Sequence, residues 1–477
     1  MNRHLLPTLL AAAALAGCAS SAGPAAPLPP LAAQAVAWQA PLPHGGRNAE
    51  LAGWWRAFDD PLLPVLIEAA QAASPTLASA RARIERARAA LAASDAGALP
   101  RLDAVGAAQR ARSLPEAPTV TSAALGVQAS WELDLFGGVA ARQRAGAQRL
   151  RGAEAGWHDA RVSLAADVAA AYVALRGCEA QLQQAQADAA SRDATARLTD
   201  RSAAAGFTAP ADAALVRAGA AQARSQARAQ QAQCDVLVKG LVELTDIPEP
   251  ALRQQLAAAT ARLPQADGLA TVALPAQLLQ QRPDLAEASA AVMAAAAEVA
   301  VARADELPRV SFAGSLQLAT LRSAGVSTDG SIWSLGPLQL SLPLFDRGSR
   351  RAATAAQQAA YDEAVAQLQG AARRALREVE TALVSLDATA ARERDVMAAA
   401  ADFETSLTAT EARQRGGLAS LLDLEAARRN AVQARSTLIE LQRERAAAWI
   451  ALYRSLGGGW TPSDAVPTVR APQAPNT

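Results

Sequence analysis

The chain has 477 residues, of which 4% are aromatic and 19% charged, and its formal net charge is +1. A balance that close to neutral excludes broad electrostatic attraction to nucleic acid. With only three cysteines, three histidines and no CxxC or His-x-x-His spacing, a metal site built from Cys and His is excluded as well.

The first residues carry an export signal. Arg3 supplies positive charge, Leu5 to Ala16 form an apolar run too short to span a bilayer, and small residues precede Cys18. Leu15-Ala16-Gly17-Cys18 resembles the bacterial lipobox, in which the cysteine is acylated and becomes the new N-terminus; an ordinary signal peptide that contains a cysteine is the alternative. Ala19 stands where such lipoproteins carry aspartate when retained in the inner membrane, so the resemblance implies outer-membrane delivery. Residues 1–17 are the expected signal peptide, and 18–60 a lipidated, extended N-terminal segment. After residue 17 no run of eighteen uninterrupted apolar residues occurs, so no transmembrane helix is expected.

The remaining chain is duplicated. Pro75-Thr76-Leu77 returns as Pro283-Asp284-Leu285, Leu99-Pro100-Arg101 as Leu307-Pro308-Arg309, and Gly106 and Gln109 as Gly314 and Gln317, all about 208 positions later. Leu135-Phe136 returns as Leu344-Phe345 at nearly the same offset. Repeats of 61–270 and 271–460 follow, with a tail at 461–477; each repeat is one copy of the same supersecondary unit.

Within each copy the hydrophobic period switches. A first hairpin is predicted at about 102–136, its second strand alternating Leu125, Val127, Trp131, Leu133 and Leu135 with Gln128, Ser130, Glu132 and Asp134. A second is predicted at about 309–345: Val310, Phe312, Leu316 and Leu318, then a Gly/Ser/Thr/Asp-rich connection from Ser323 to Ser331, then Leu338, Leu340, Leu342 and Leu344. Strands of about ten residues with this alternation suit a transmembrane barrel, apolar outside and polar inside. A half-buried soluble sheet would alternate identically. Two hairpins cannot close a barrel, and open edges are forbidden in lipid, so strands in a membrane would require oligomerisation.

Each hairpin is followed by heptads, Trp157, Arg161, Leu164, Val168, Tyr172, Leu175, Glu179 and Leu182 in the first copy, and Tyr361, Val365, Leu368, Ala372, Leu376, Val379, Leu383 and Leu386 in the second. Helices are predicted at about 138–203 and 210–245, then 347–414 and 418–456. The longest of them would reach about 100 Å at 1.5 Å per residue. Each long helix stops at glycine, Gly206 in one copy and Gly416-Gly417 in the other. Cys178 and Cys234 each lie 28 residues from Gly206, which would set them level in an antiparallel helical hairpin, about 42 Å from its tip. A disulfide between them is expected in an oxidising compartment, with two buried free thiols as the alternative.

Four motifs then carry a family resemblance: Trp54-Trp55-x-x-Phe58-x-Asp60-Pro61-Leu62; Leu274-Pro275-x-x-Leu278-Leu279-x-x-Arg282-Pro283-Asp284-Leu285; Gly336-Pro337 with Pro343-Leu344-Phe345-Asp346-x-Gly348; and Tyr453-x-x-Leu456-Gly457-Gly458-Gly459-Trp460. In this order, over essentially all of the mature chain, they resemble the TolC-like outer-membrane efflux protein family in its lipoprotein branch, the outer-membrane factors of RND-type pumps. The resemblance implies an α+β membrane protein that trimerises into a 12-stranded transmembrane β-barrel, continuous with a periplasmic α-helical barrel. It implies no enzyme activity, no cofactor beyond the covalent lipid on Cys18 and no metal. The implied partners are two further copies of the chain, a periplasmic membrane-fusion adaptor, an inner-membrane RND-type transporter and outer-membrane lipid, and the implied role is passive conduction of drugs or other small toxic compounds. A conduit for type I protein secretion and a non-channel coiled-coil lipoprotein are the competing readings; the alternating hairpins speak against the second.

Leu421-x-x-Leu424-Glu425-Ala426-Ala427-Arg428 resembles the family's Leu-Asp-Ala-Gln-Arg stretch at the periplasmic gate. The resemblance implies that Leu421 and Glu425 narrow the pore, with Glu425 as a ring of three carboxylates and Arg428 in ion-pair reach. The family has aspartate where Glu425 stands, and Asp423 could substitute for it from another helix face. Ordinary solvated helix charges are the alternative.

Overall fold

The structure is a computed structural model, and it describes residues 39–40, 51–112, 115–116, 118–265, 281–461 and 464. Cys18, the segment before Gln39 and the Leu274-to-Leu279 half of the second motif lie outside the described residues.

The duplication is visible element by element. Helices α1 (Leu62–Ala73) and α2 (Pro75–Ala96) precede strands β1 (Arg101–Ala111) and β2 (Val120–Leu133). Helix α3 (Gly138–Ala204), α4 (Pro210–Thr245) and the short α5 (Glu249–Leu256) complete the first copy. The second has α6 (Pro283–Ala304), β3 (Arg309–Ser323), β4 (Val326–Ser341), α7 (Ser349–Arg415) and α8 (Leu421–Ser455). The members of each pair match in length: α2 and α6 have 22 residues, α3 and α7 have 67.

Helices α1, α2 and α6 are elements that the hydrophobic alternation did not announce. Asp60 starts α1 by accepting the backbone N–H groups of Leu62 and Leu63 at 2.9 and 3.3 Å. Ser74 starts α2 through the N–H of Leu77 at 3.3 Å. Helix α6 is long and apolar enough by composition to cross a membrane, with a mean hydropathy of 1.6 over its best window, but Glu287 and Glu298 interrupt it, so the absence of eighteen uninterrupted apolar residues after residue 17 stands. Its apolar character is largely alanine, and alanine here serves close packing: a Cβ on Gly152 of α3 would stand 3.5 Å from the Ala290 Cβ. Glu298 on α6 pairs with Arg149 at 2.6 Å.

Among the described residues, packing divides the chain into two units, one of Arg81–Ala155 with Ala286–Ala371, the other lying within Ala32–Ala80, Gly156–Leu285 and Ala372 onward. The first contains the sheet. All four strands pair antiparallel in the order β1-β2-β3-β4, so the two hairpins join through β2 and β3 and leave β1 and β4 as open edges. Register places Leu102, Leu125, Val127, Trp131, Val310, Phe312, Leu316, Leu318, Trp333, Leu335, Leu338 and Leu340 on one face. The opposite face carries Gln109, Gln128, Ser130, Ser315, Gln317, Ser334 and Gln339. Large apolar side chains on the first face are left mostly uncovered by the chain: Leu125 is 68% and Trp333 73% exposed.

The second hairpin turns earlier and more tightly than its composition indicates. Ala324 and Gly325, both at positive φ (51° and 83°), make a two-residue turn, and Val326 to Ser331 belong to β4 rather than to a connection. Leu342 and Leu344 lie beyond the end of β4 at Ser341. A bulge at Gly336-Pro337 shifts the register opposite Phe312 and Gly314, so Leu335 before it and Leu338 after it share one face. Without that extra step, every side chain on one side of the bulge would change faces.

In the second unit the core is built on Trp54, Phe58, Leu63, Leu66, Tyr172, Leu175, Leu241, Leu252 and Trp449, all buried. Its N-terminal segment is held by one carboxylate. Glu380 of α7 accepts the successive backbone N–H groups of Gln39 and Ala40 at 2.8 and 2.9 Å.

Candidate functional site at the helical hairpin tips

The two helical hairpins turn in the same way. At the end of α3, Gly206 takes φ 82°, its N–H bonds Ala203 O at 3.0 Å, and the N–H of Phe207 bonds Ser202 O at 2.9 Å. At the end of α7, Gly417 takes φ 73°, its N–H bonds Gln414 O at 3.0 Å, and the N–H of Leu418 bonds Arg413 O at 2.8 Å. In this helix stop the residue after the left-handed glycine commonly packs back on the last turn. Here it does not: Phe207 is 85% and Leu418 75% exposed.

Behind the tips lies an ion-pair network. Ser420 and Asp423 form a capping box at the start of α8, with Ser420 Oγ accepting the Asp423 N–H at 3.1 Å and Asp423 Oδ2 accepting the Ser420 N–H at 2.9 Å. Asp423 is thereby committed to the helix start, and Ser420 holds its carboxyl below the usual aspartate range. Between them, Leu421 packs on Ala196, Val216 and Ala220. Glu425 turns into the helix packing of its own chain, its side chain 14% exposed, and pairs with Arg192 of α3. Arg428 is buried, with Nη1 3.2 Å from Glu425 Oε1 and 2.8 Å from Thr195 Oγ1, and Nη2 3.4 Å from Glu411 Oε1. Asp188 holds Arg192 from the other side at 2.8 Å.

The network therefore ties α3, α7 and α8 together, and Glu425 reaches it already neutralised by two arginines. Arg192, Thr195 and Glu411 were not legible from sequence: Arg192 and Glu425 are 233 positions apart, and only the Asp188–Arg192 spacing of four hinted at a local pair. Further up the first hairpin, the structure joins Cys178 of α3 to Cys234 of α4, with Cα atoms 5.6 Å apart.

The sequence motifs themselves gather elsewhere in the second unit. The Trp54 ring lies 5.9 Å from those of Trp449 and Tyr453, and Trp55 lies 4.4 Å from Tyr453. Besides capping α1, Asp60 accepts the Tyr172 hydroxyl at 2.7 Å. Arg282 donates to Ser455 O at 2.7 Å and pairs with Asp284 at 2.7 Å and Glu378 at 3.0 Å. A groove of about 750 Å³ runs beside these groups, lined by charges of both signs that include Asp159, Asp284, Arg377 and Arg454. Burial, reinforced by Asp284, raises the Asp159 carboxyl above its ordinary range. No nucleophile with an oriented base lines it.

His158 is buried edge-on against Trp157 at 4.9 Å, with Trp460 at 5.9 Å. Desolvation, helped by the Arg161 charge, lowers its pKa from 6.5 to about 4. Because the folded state holds this imidazole neutral while the unfolded chain protonates near 6.5, stability is constant above that pH and falls as pH drops towards 4. The loss at low pH should approach roughly 3 kcal/mol. A His158→Phe variant should show a flatter decline of melting temperature between pH 6.5 and 4; an unchanged slope would rule out this group as the source.

A model of the outer membrane efflux protein family matches residues 66–245 and again 274–458, one match per repeat. Among characterised relatives, the antibiotic efflux pump outer membrane protein ArpC of Pseudomonas putida is 30% identical over 485 residues, 96% of each chain. The pyoverdine export outer membrane protein OpmQ of Pseudomonas putida is 30% identical over 487 residues, 96% of this chain and 98% of that one. Among solved structures, the outer-membrane channel OprN superposes with a TM-score of 0.78 at 27% identity, covering 87% of this chain and 93% of that one.

Proposed function

This chain belongs to the outer membrane efflux protein family, and we propose that it works as a homotrimer whose three four-stranded sheets close one 12-stranded barrel. The observation that carries this reading is the sheet itself. It exposes an apolar face over most of its length and ends in two open edges, a combination that lipid tolerates only after closure. Three copies joined β1 to β4 remove every edge. The uncharged Ser and Gln residues of the other face then line a lumen suited to passive conduction, and helices α3, α4, α7 and α8 continue it as a periplasmic tunnel.

In this reading the partners are a periplasmic adaptor and an inner-membrane transporter of the proton-driven RND type, and the cargo is small toxic compounds. Support for the adaptor comes from Phe207 and Leu418, two apolar side chains presented at equivalent turns with nothing of their own chain to cover them. The gate is the Arg192–Glu425–Arg428–Glu411 network rather than a ring of bare carboxylates, since Glu425 brings two arginines with it. Cys18 carries the lipid. The Cys178–Cys234 bond forms in the periplasm and clamps the first helical hairpin; closing a loop of this length stabilises by about 4 kcal/mol in the chain-entropy model, and non-reducing peptide mapping should recover the two cysteines linked.

Deleting the gene in a strain without paralogues should raise susceptibility to several dyes and antibiotics at once. Wild-type protein should restore resistance, whereas a Phe207→Asp, Leu418→Asp double variant should remain an outer-membrane trimer and fail to restore it. Unchanged susceptibility after deletion would sink the efflux role. Full restoration by the double variant would sink only the adaptor contact.

A further inference from the structure

The two ends of the apolar sheet face differ. At the end nearest the helices, Trp131 and Phe312 sit opposite one another in adjacent strands, as aromatic residues do at the rim of a membrane barrel. At the turn end no aromatic pair stands on that face. The row there is Arg110, Thr121 and Arg322, directly opposite one another across β1, β2 and β3. Register fixes their face: Gly106, Leu125 and Leu318 form the row four residues below, and Ala104, Val127 and Leu316 the row below that.

Height agrees with position at a membrane boundary. From the Trp131–Phe312 row to the Thr121–Arg322 row is ten residues along β2, about 33 Å at 3.3 Å per residue. With a barrel tilt of about 40°, that projects to about 25 Å, the height of the apolar band in outer-membrane barrels. The arginines therefore fall one step past hydrocarbon, at headgroup level on the outer leaflet.

Arg110 and Arg322 are both exposed, and among the described residues neither guanidinium has an ion-pair partner. Two strands apart, their Cα atoms are separated by about 10 Å, a span that two arginine side chains bridge to meet one tetrahedral anion, with the Thr121 hydroxyl between them. Arg112 stands just beyond, donating to Thr119 Oγ1 at 3.2 Å. The acids nearby are Asp329, paired in register with Thr320 one row closer to the membrane centre, and Glu116 in the β1–β2 loop. Three arginines against two carboxylates leave the rim positive.

We propose that Arg110, Thr121 and Arg322 form a docking site for the phosphorylated headgroup of an outer-leaflet lipid. The proposal rests on the barrel reading above, which turns this face to lipid. Guanidinium is suited to it because its planar fork donates two parallel hydrogen bonds to phosphate and stays charged at any physiological pH. Each site would add a lipid to the outer wall, beside the seam between neighbouring protomers, without entering the conducting path.

The test uses the full-length protein reconstituted in phosphatidylcholine vesicles containing either diphosphoryl lipid A or its dephosphorylated form, followed by detergent extraction and native mass spectrometry of the protein with retained lipid. Wild type should retain diphosphoryl lipid A and not the dephosphorylated form. Arg110→Gln with Arg322→Gln should retain it roughly thirtyfold less, about fivefold per arginine, while inserting and resisting protease like wild type. Equal retention by wild type and variant overturns the site, and so does displacement of the lipid by millimolar inorganic phosphate, which would mark a simple ion site. Failure of wild type to insert into vesicles of either kind would instead bring down the barrel reading, and the lipid site with it.

Discussion

Replacing Arg428 with methionine is expected to produce a leaky channel. Arg428 is buried and holds Glu425, Thr195 and Glu411 at once, so its loss leaves two carboxylates facing each other with one fewer cation. Removing one partner from a buried ion network costs roughly 3–5 kcal/mol, because the charges left behind stay desolvated. The cost falls on the state in which α3, α7 and α8 are tied together, so the equilibrium should move towards separation by two orders of magnitude or more. In planar bilayers the variant should show a much larger open fraction than wild type without adaptor present. Adding Glu425→Gln to Arg428→Met should recover part of the closure, since it removes one of the stranded charges. If the single variant keeps wild-type conductance and melts at a lower temperature, the network is structural and the gate lies elsewhere.

The largest stability loss is expected from Gly457→Ala, far from the tips. Gly457 has φ 77°, and a Cβ on it would stand 2.2 Å from Gln281 O and 3.0 Å from Arg282 Cα, both backbone atoms with no rotamer to yield. The substitution combines left-handed strain with a backbone collision and displaces the strand of contacts by which Arg282 holds Ser455 O. A loss above about 4 kcal/mol is expected, enough to lower the yield of folded protein sharply. Gly240→Ala provides the contrast: it lies inside α4, meets nothing within 4 Å and has no positive φ, so it should stabilise by roughly 0.5–1 kcal/mol. Thermal melts of the two variants should therefore move in opposite directions.

What the sequence made legible depended on the range of the forces involved. Strand alternation, heptads and glycine stops are local, and the two apolar faces and two helical hairpins follow from them. The Ser323–Ser331 stretch misled because its residues are small and polar on both faces; β4 begins at Val326 there because ladder hydrogen bonds and the Ala324-Gly325 turn, not hydrophobic contrast, hold it. Helices α2 and α6 were hidden by alanine, which packs well yet gives little periodic signal. At the proposed gate, Leu421, Glu425 and Arg428 could be named from a motif. Their chemistry could not, because Arg192 comes from the other repeat and sequence offers no measure of a contact across 233 positions. The pairing of Glu425 with Arg428 was readable from their spacing on one helix face, and the second pairing, with Arg192, was not. The motifs of the second unit were legible as words only; their meaning as a mutual buttress of Trp54, Tyr453, Arg282 and Gly457 required coordinates.

The grip of Glu380 on Gln39 and Ala40 bounds how far from α7 any earlier residue can lie. Between Cys18, the proposed lipid site, and Gln39 there are 21 peptide steps, which cannot extend beyond about 75 Å however they are arranged. Acyl chains on that cysteine would be confined to a sphere of that radius centred on one carboxylate of α7. A deletion of ten residues between these points should accordingly cut that reach to about 40 Å, roughly half, whereas exchanges that keep the length leave it unchanged.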